Sequence, residues 1–187
     1  MRLAVIIGST RRGRFGPTVA RWLVQQAAKQ FDVDLLDLKT TNLPVILPDT
    51  DDEAPLEVAV LAPRLAAADA FAVVTPEINC SFPASLKTAL DWYYAEWHAK
   101  PVAIVSYGRE TGGRHAEAQL RQVFTELQAV TIRNTVALPC YWEQFTADGG
   151  WPRPSAGYEA GAKLMLDQLV WWAEALRDAR DRRPYQP

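Results

Sequence analysis

The chemistry-bearing residues of this chain gather in three short segments rich in glycine, hydroxyls and arginine. The first reads Gly8-Ser9-Thr10-Arg11-Arg12-Gly13-Arg14-Phe15-Gly16-Pro17-Thr18. Hydroxyls at Ser9, Thr10 and Thr18 can donate to anionic oxygens, and Arg11 or Arg14 can add a two-pronged charged donor. A helix starting near Gly16 would aim its unpaired first-turn N–H groups at the same place. That set suits a phosphate monoester; the plainer alternative is a basic surface turn leading into a capped helix. It is not a Walker A loop, since no Gly-Lys-Ser/Thr follows, and Gly8, Gly13 and Gly16 lack the G-x-G-x-x-G spacing of dinucleotide folds.

The second segment, Thr75-Pro76-Glu77-Ile78-Asn79-Cys80-Ser81-Phe82-Pro83, is stiffened by its prolines. Rigid backbone N–H and C=O groups suit the edge of a flat heteroaromatic ring, and Asn79 offers both a donor and an acceptor. The third, Ser106-Tyr107-Gly108-Arg109-Glu110-Thr111-Gly112-Gly113, can complete such a pocket with backbone contacts. Its Gly112-Gly113 also reads as a simple turn before a helix. No nucleophile–base set or carboxylate pair is apparent, so no catalytic side chain is expected and the chemistry points to a bound cofactor. His98 and His115 read as surface or capping residues, His115 being the better candidate for a proton donor. Cys80 has no histidine near it in the sequence, so a catalytic thiol is not expected.

Alternating strands and helices must position these segments. Residues 3–7 form a continuous apolar run that stops at Gly8, as a strand buried on both faces would. Pro17 then opens a helix carrying Val19, Trp22, Leu23 and Ala27 at helical spacing. A more polar second strand is predicted over 33–38, nearer an edge, followed by a proline-rich loop over 40–55 and a helix with Leu56, Val60, Leu61 and Leu65 on one face. A third strand over 70–75 ends at Pro76. A helix over 84–94, a fourth strand over 102–107, a helix carrying Ala116, Leu120, Val123, Phe124 and Leu127, a fifth strand over 130–138 and a last helix over 156–180 complete the pattern. Five strands alternating with five helices specify a three-layer α/β sandwich with a parallel sheet. In such sheets ligands bind beyond the carboxyl ends of the strands, where strand order reverses, and that rule selects the three segments.

With 187 residues, the chain is expected to be one domain over 1–180, with 181–187 a frayed tail. Hydrophobic residues at 49% and charged residues at 22% exclude disordered and collagen-like classes. A net charge of −2 gives no field to attract nucleic acid, so no nucleic-acid partner is expected. Two cysteines, Cys80 and Cys140, cannot supply a four-ligand zinc site and read as reduced thiols; no metal is expected. Absence of a long apolar stretch argues against a membrane segment and makes the cytoplasm the expected compartment. Trp171 and Trp172 are adjacent, so one helix stripe cannot bury both; one is expected to face a second subunit or the loop around Trp142 and Trp151.

Gly8-Ser9-Thr10-Arg11, Pro76-Glu77-x-Asn79-x-Ser81-x-Pro83-x-x-Leu86-Lys87-x-Ala89-Leu90-Asp91-Trp92, Lys100-Pro101, Ser106-Tyr107-Gly108 and Gly112-Gly113 together resemble the NADPH-dependent FMN reductases, from about residue 2 to 138. The resemblance implies a flavodoxin-like sandwich with a five-stranded parallel sheet of order 2-1-3-4-5. It implies that Ser9, Arg11, Arg14 and the helix start at Phe15, Gly16 and Thr18 hold the FMN phosphate. Pro76, Glu77, Ile78, Asn79 and Ser81 would line the isoalloxazine, and Ser106, Gly108 and Gly112 would close its other edge. The family usually carries an aromatic where this chain has Ile78, and a histidine or glycine where it has Cys80.

The expected activity is FMN-dependent NAD(P)H oxidation, hydride passing from NADPH or NADH to flavin N5 and on to a small-molecule acceptor such as free flavin, a quinone or an azo compound. Arg109 and Arg114 read equally as partners of the NADPH 2′-phosphate or as solvated side chains. A homodimer or homotetramer is implied, with Leu86, Leu90 and Trp97 near its subunit boundary. The alternative is a non-enzymatic flavin-binding electron carrier or docking module, which the weak net charge supports poorly. A phosphoacceptor receiver domain is excluded, because Thr75-Pro76 stands where its acidic site would end the third strand.

Overall fold

The computed structural model describes residues 1–48, 53–144 and 156–186. The strands are β1 (Arg2–Ile7), β2 (Asp32–Asp37), β3 (Ala70–Pro76), β4 (Pro101–Tyr107), β5 (Val130–Thr131) and β6 (Val136–Leu138). All pair in parallel in the order β2-β1-β3-β4-β5, with β6 continuing β5's place beside β4. The helices are α1 (Gly16–Ala27), α2 (Leu38–Thr41), α3 (Leu56–Ala66), α4 (Ala84–Trp92), α5 (Arg114–Glu126) and α6 (Ala156–Arg182).

Side chains alternate across a strand, so each central strand feeds two cores. Leu3, Val5, Ile7, Ala72, Val74, Ala103 and Val105 meet Val19 and Leu23 of α1 and Leu166 and Leu169 of α6. Ala4, Ile6, Phe71, Val73, Val102 and Ile104 meet Leu61 of α3, Leu86 and Leu90 of α4 and Leu120 and Phe124 of α5. Burial on both faces is why these strands read as unbroken apolar runs.

The fifth strand differs from the continuous 130–138 expected of it. The Arg121 guanidinium of α5 donates to the carbonyls of Ile132, at 2.9 Å, and Arg133, at 3.2 Å, and the Asn134 N–H turns to Gln168 Oε1 at 2.8 Å. Those side-chain bonds replace the ladder and split the strand into β5 and β6. The loop expected over 40–55 begins inside α2, which Asp37 caps by accepting from the Lys39 N–H at 3.0 Å.

Leu86, Leu90 and Trp97, placed at a subunit boundary by the family resemblance, are instead core residues of this chain. The Trp97 ring packs 4.7 Å from Phe71 and 5.9 Å from Phe124, and its indole N–H donates to the Tyr93 carbonyl at 2.8 Å. Burial within the chain leaves them no surface for a partner. Trp171 is 62% exposed while Trp172 packs against the core, as adjacency on one helix requires; Trp151 lies outside the described residues. Helix α6 runs to Arg182, and beyond it the Tyr185 hydroxyl donates to Gln128 Oε1 at 2.6 Å.

One buried cation ties the sheet to a helix end. Lys100 Nζ donates to the carbonyls of Leu65, at 3.0 Å, and Ala66, at 2.8 Å, satisfying the last turn of α3. Burial, helped by nearby Arg180, pulls its pKa from 10.5 down to about 8. A lysine whose folded pKa lies below its unfolded one makes stability rise with pH between the two values. Relative to a Lys100→Met variant, the native chain is therefore expected to gain on the order of 2 kcal/mol between pH 8 and pH 10. Urea unfolding at both pH values measures this; a constant difference between the two proteins would show that the amine is solvated.

Candidate functional site

Parallel register brings the three loops to one edge. Ile7 of β1 sits beside Val74 of β3, and Pro76 at the end of β3 beside Tyr107 at the end of β4. Each loop's first residue still bonds to the neighbouring chain. Gly8 N–H reaches the Val74 carbonyl at 2.9 Å, Glu77 N–H that of Tyr107 at 2.9 Å, and Gly108 N–H that of Leu138 at 3.3 Å. The edge thus begins rigid, and the loops diverge from it.

In the first loop, the arginines separate into two kinds. Arg14 is half-buried and makes a two-pronged ion pair with Asp37 at the end of β2, its second amino group 2.5 Å from Asp37 Oδ2, and it also donates to the Ser9 carbonyl at 2.7 Å. The hydrogen-bonded Asp37 raises the Arg14 pKa. Although burial would lift Asp37, bonds from Arg14 and the Lys39 N–H hold its carboxyl below the ordinary value. Arg14 is therefore a strut for the loop and is engaged by a carboxylate, whereas Arg11 and Arg12 are exposed and form no ion pair among the described residues. Helix α1 starts with no acidic residue in its first turn and no side-chain cap from Phe15. A Cβ on Gly16 would lie 2.8 Å from Ile7 and 3.1 Å from the Tyr107 hydroxyl, so only glycine lets the helix approach this closely. Phe15 stacks on Tyr141 with centroids 4.7 Å apart and meets Tyr107 edge-on at 5.7 Å. Thr18 Oγ1 accepts from Arg21 at 3.4 Å, and Ser9 is buried.

The second loop closes on itself. Ile78 and Ser81 exchange both backbone bonds, at 2.8 and 2.9 Å, around Asn79 and Cys80. Both tip residues have left-handed backbones, φ 50° and 59°, the pattern of a mirror-image two-residue turn. Gln119 of α5 grips the tip, donating to the Cys80 carbonyl at 2.9 Å and accepting from the Ser81 hydroxyl at 2.6 Å. Glu77, its side chain 14% exposed, accepts from the Thr111 hydroxyl at 3.0 Å and the His115 N–H at 3.1 Å through Oε2, and faces His115 Nδ1 at 3.0 Å through Oε1. Burial acts to raise its pKa, but the bonds from His115 and Thr111 prevail and hold it below the usual carboxylate value. Pro76 and Ile78 are half-buried and Asn79 is exposed.

The third loop is folded against its own strand. The buried Ser106 hydroxyl donates to the Gly112 carbonyl at 2.9 Å. Gly113, with φ 91°, passes so close that a Cβ there would lie 2.7 Å from Ser106 Cβ and 2.9 Å from the Tyr107 nitrogen. Ser9, Gly16, Ser106, Gly108 and Gly112 are buried within these loops and the strand and helix ends beside them. The side chains of Arg14, Glu77 and Ser81 brace the loops. Arg11, Phe15, Thr18, Pro76, Ile78 and Asn79 keep surface to offer, alongside Arg109 and Arg114, which are exposed.

Sequence reasoning missed Asp37, Thr111 and Gln119, whose partners lie far along the chain. It also missed Ser85, which donates to the Gly8 carbonyl at 2.6 Å. A cavity of about 390 Å³ lined by Thr10, Lys39, Ser85 and Thr88 opens beside the first loop. The nearest signal was the Ser85 hydroxyl directly after Pro83-Ala84.

A family model described as NADPH-dependent FMN reductase matches residues 1–143. A 2-hydroxy-1,4-benzoquinone reductase from Burkholderia sp is 35% identical over 190 residues, covering 98% of each chain. An NAD(P)H-dependent FMN reductase of Schizosaccharomyces pombe is 33% identical over 148 residues, 74% of each chain. Among solved structures, FerB, a flavoenzyme NAD(P)H:(acceptor) oxidoreductase from Paracoccus denitrificans, superposes with a TM-score of 0.76 at 26% identity, covering 93% of this chain and 97% of that one. The chain belongs to the NADPH-dependent FMN reductase family and is an FMN-dependent NAD(P)H oxidoreductase with a flavodoxin-like fold.

The close approach at Gly113 gives a direct test of the third loop's packing. Gly113→Ala is expected to lower unfolding free energy by about 1–3 kcal/mol or more, since it adds both a strained backbone and a clash. Gly13→Ala shares a positive φ of 64° but has open space around it, so it should lose less. Urea titration of both variants decides this, and equal losses would show that the third loop yields.

Proposed function

We propose that this family member holds the FMN phosphate at the first loop and the isoalloxazine between the second and third, and reduces a small quinone-type acceptor. The observation that carries the reading is the exposed Arg11, outside any ion pair among the described residues, beside the acid-free start of α1 at the point where strand order reverses. A dianionic phosphate fits that set: a helix N-terminus and a guanidinium both favour negative charge. Ser9, Phe15, Gly16 and Thr18 shape the same cradle, and Arg14, held by Asp37, positions it.

For the ring, Pro76, Glu77, Ile78, Asn79 and Ser81 supply a stiff rim, and Ser106, Gly108 and Gly112 back the opposite edge. Because the Glu77 carboxylate is held by His115 and Thr111, it sets the shape of the rim. Bound FMN supplies hydride acceptance at N5 and transfer of electrons to the acceptor. The chain's own residues bind, orient and stack; Ile78 replaces an aromatic face with an aliphatic one, leaving that contact to packing alone. NADPH is the proposed donor, with exposed Arg109 and Arg114 on the third loop available to its 2′-phosphate, and NADH an alternative. A quinone acceptor is favoured by the 35%-identical benzoquinone reductase, which matches nearly end to end; free flavin and azo compounds belong to the same test.

The protein is further read as cytoplasmic and as a homodimer or homotetramer. No helix among the described residues is long and apolar enough to cross a membrane. Exposed Val45, Ile46, Leu56 and Val60 support self-association, the first two being 82% and 85% exposed.

Purified protein should be yellow or become so with FMN, and should oxidise NADPH when given FMN, a quinone or an azo dye. Arg11→Ala is expected to weaken FMN about tenfold or more, the worth of a charge-assisted bond, with an unchanged melting temperature. Arg14→Ala should lower the melting temperature as well, because it releases Asp37. A protein that neither binds FMN nor oxidises either nucleotide overturns the reading, and unchanged FMN affinity in Arg11→Ala overturns the phosphate assignment.

A further inference from the structure

Cys80 and His115 stand 35 positions apart in the sequence, yet the fold brings them together with Glu77. Ligand atoms of these three side chains all lie within 4.8 Å of one another, a grouping of thiol, imidazole and carboxylate found once among the described residues. We propose that Cys80, His115 and Glu77 form a binding site for a single borderline-soft divalent cation of the Zn²⁺ type, with the fourth position open to water.

The donor set matches the chemistry of such an ion. Zinc takes thiolate, imidazole and carboxylate ligands in tetrahedral geometry, and open sites use three protein ligands. Hard cations such as Mg²⁺ and Ca²⁺ want oxygen alone. With Zn–N and Zn–O near ~2.0–2.1 Å, two ligands on a tetrahedral edge stand about 3.3 Å apart, and a sulfur stands about 3.6 Å from either. Glu77 Oε1 and His115 Nδ1 are hydrogen-bonded at 3.0 Å, and the ion would take the place of the proton between them. Cys80 is exposed, so its Sγ can turn the short remaining distance.

Neighbouring contacts preorganise the three ligands. Glu77 Oε2 is held by the Thr111 hydroxyl and the His115 N–H, which leaves Oε1 as the oxygen facing the imidazole. The Cys80 carbonyl accepts from Gln119 of α5, one helical turn beyond His115, which holds the loop tip against the face of α5 that carries His115. The left-handed turn at Asn79 and Cys80 is a strained conformation for a non-glycine residue, and it lifts the thiol to the tip. On binding, the thiol proton leaves to solvent and the neutral imidazole carries its one proton on Nε2, so each ligand meets the ion with a lone pair. The site needs one cysteine, which is why a count of two did not reveal it.

Zn²⁺ alone is the probe, with the full chain and whatever flavin it carries. Equilibrium dialysis should retain one Zn²⁺ per chain, and X-ray absorption at the zinc edge, which flavin does not affect, should show one sulfur near ~2.3 Å with nitrogen and oxygen near ~2.0 Å. Cys80→Ser should lose the sulfur shell, and both Cys80→Ser and His115→Ala should weaken retention about tenfold or more. Cys140→Ser should change neither result. Absence of retained zinc, a sulfur shell that follows Cys140, or unchanged affinity in His115→Ala each overturns the proposal. Both altered side chains are at the surface, and circular dichroism of the variants confirms that they fold.

Discussion

A parallel sheet sends every strand's carboxyl end to the same edge, and the rest of this protein's functional architecture follows from that constraint. Because β1 and β3 are neighbours in space but separated by a whole strand–helix unit in sequence, their outgoing loops part and leave a crevice. The apolar strands are anchored on both faces, so the loops start from positions that cannot drift. Polar residues can then be displayed at that edge without exposing the core.

What the loops do there depends on side chains that bind other parts of the protein. Arg14 and Asp37 fasten the first loop to the end of β2. Glu77 joins the second loop to the third and to α5 with one carboxylate. Ser106, Gly112 and Gly113 pull the third loop down onto β4. A ligand therefore meets surfaces whose shape is already set, which lowers the ordering cost of binding. The division among arginines is the same logic seen in charge: one is neutralised to hold the frame, and its neighbours are left for solvent or an anion.

The fold was legible because burial on two faces writes itself as an apolar run, as at residues 3–7 and 102–107. The ends of elements were less so. The break between β5 and β6 is imposed by Arg121, which reaches across from α5 to claim two carbonyls, and no local pattern announces that. The three loops could be found from their composition and place, but the duties of individual side chains could not. Arg14 and Arg11 look alike in sequence and differ only through Asp37, 23 residues away. Leu86, Leu90 and Trp97 could have faced outward or inward on pattern alone; all three are buried in one core, where the Trp97 ring packs against Phe71 and Phe124. Cys80 lacked a histidine within reach until α5 was placed beside it.

The two cores are not completed at the same point along the chain. Every residue of the one packed under α3, α4 and α5 lies between Ala4 and Ala129. The other also needs Ala162, Met165, Leu166, Leu169 and Ala173 from α6. During synthesis from the N-terminus, one side of the sheet can therefore close while the opposite side still waits for some forty residues to emerge. Over that interval the apolar flank of β1, β3 and β4 is covered by α1 alone, and it is the surface of the nascent chain that most needs shielding from its neighbours on the polysome.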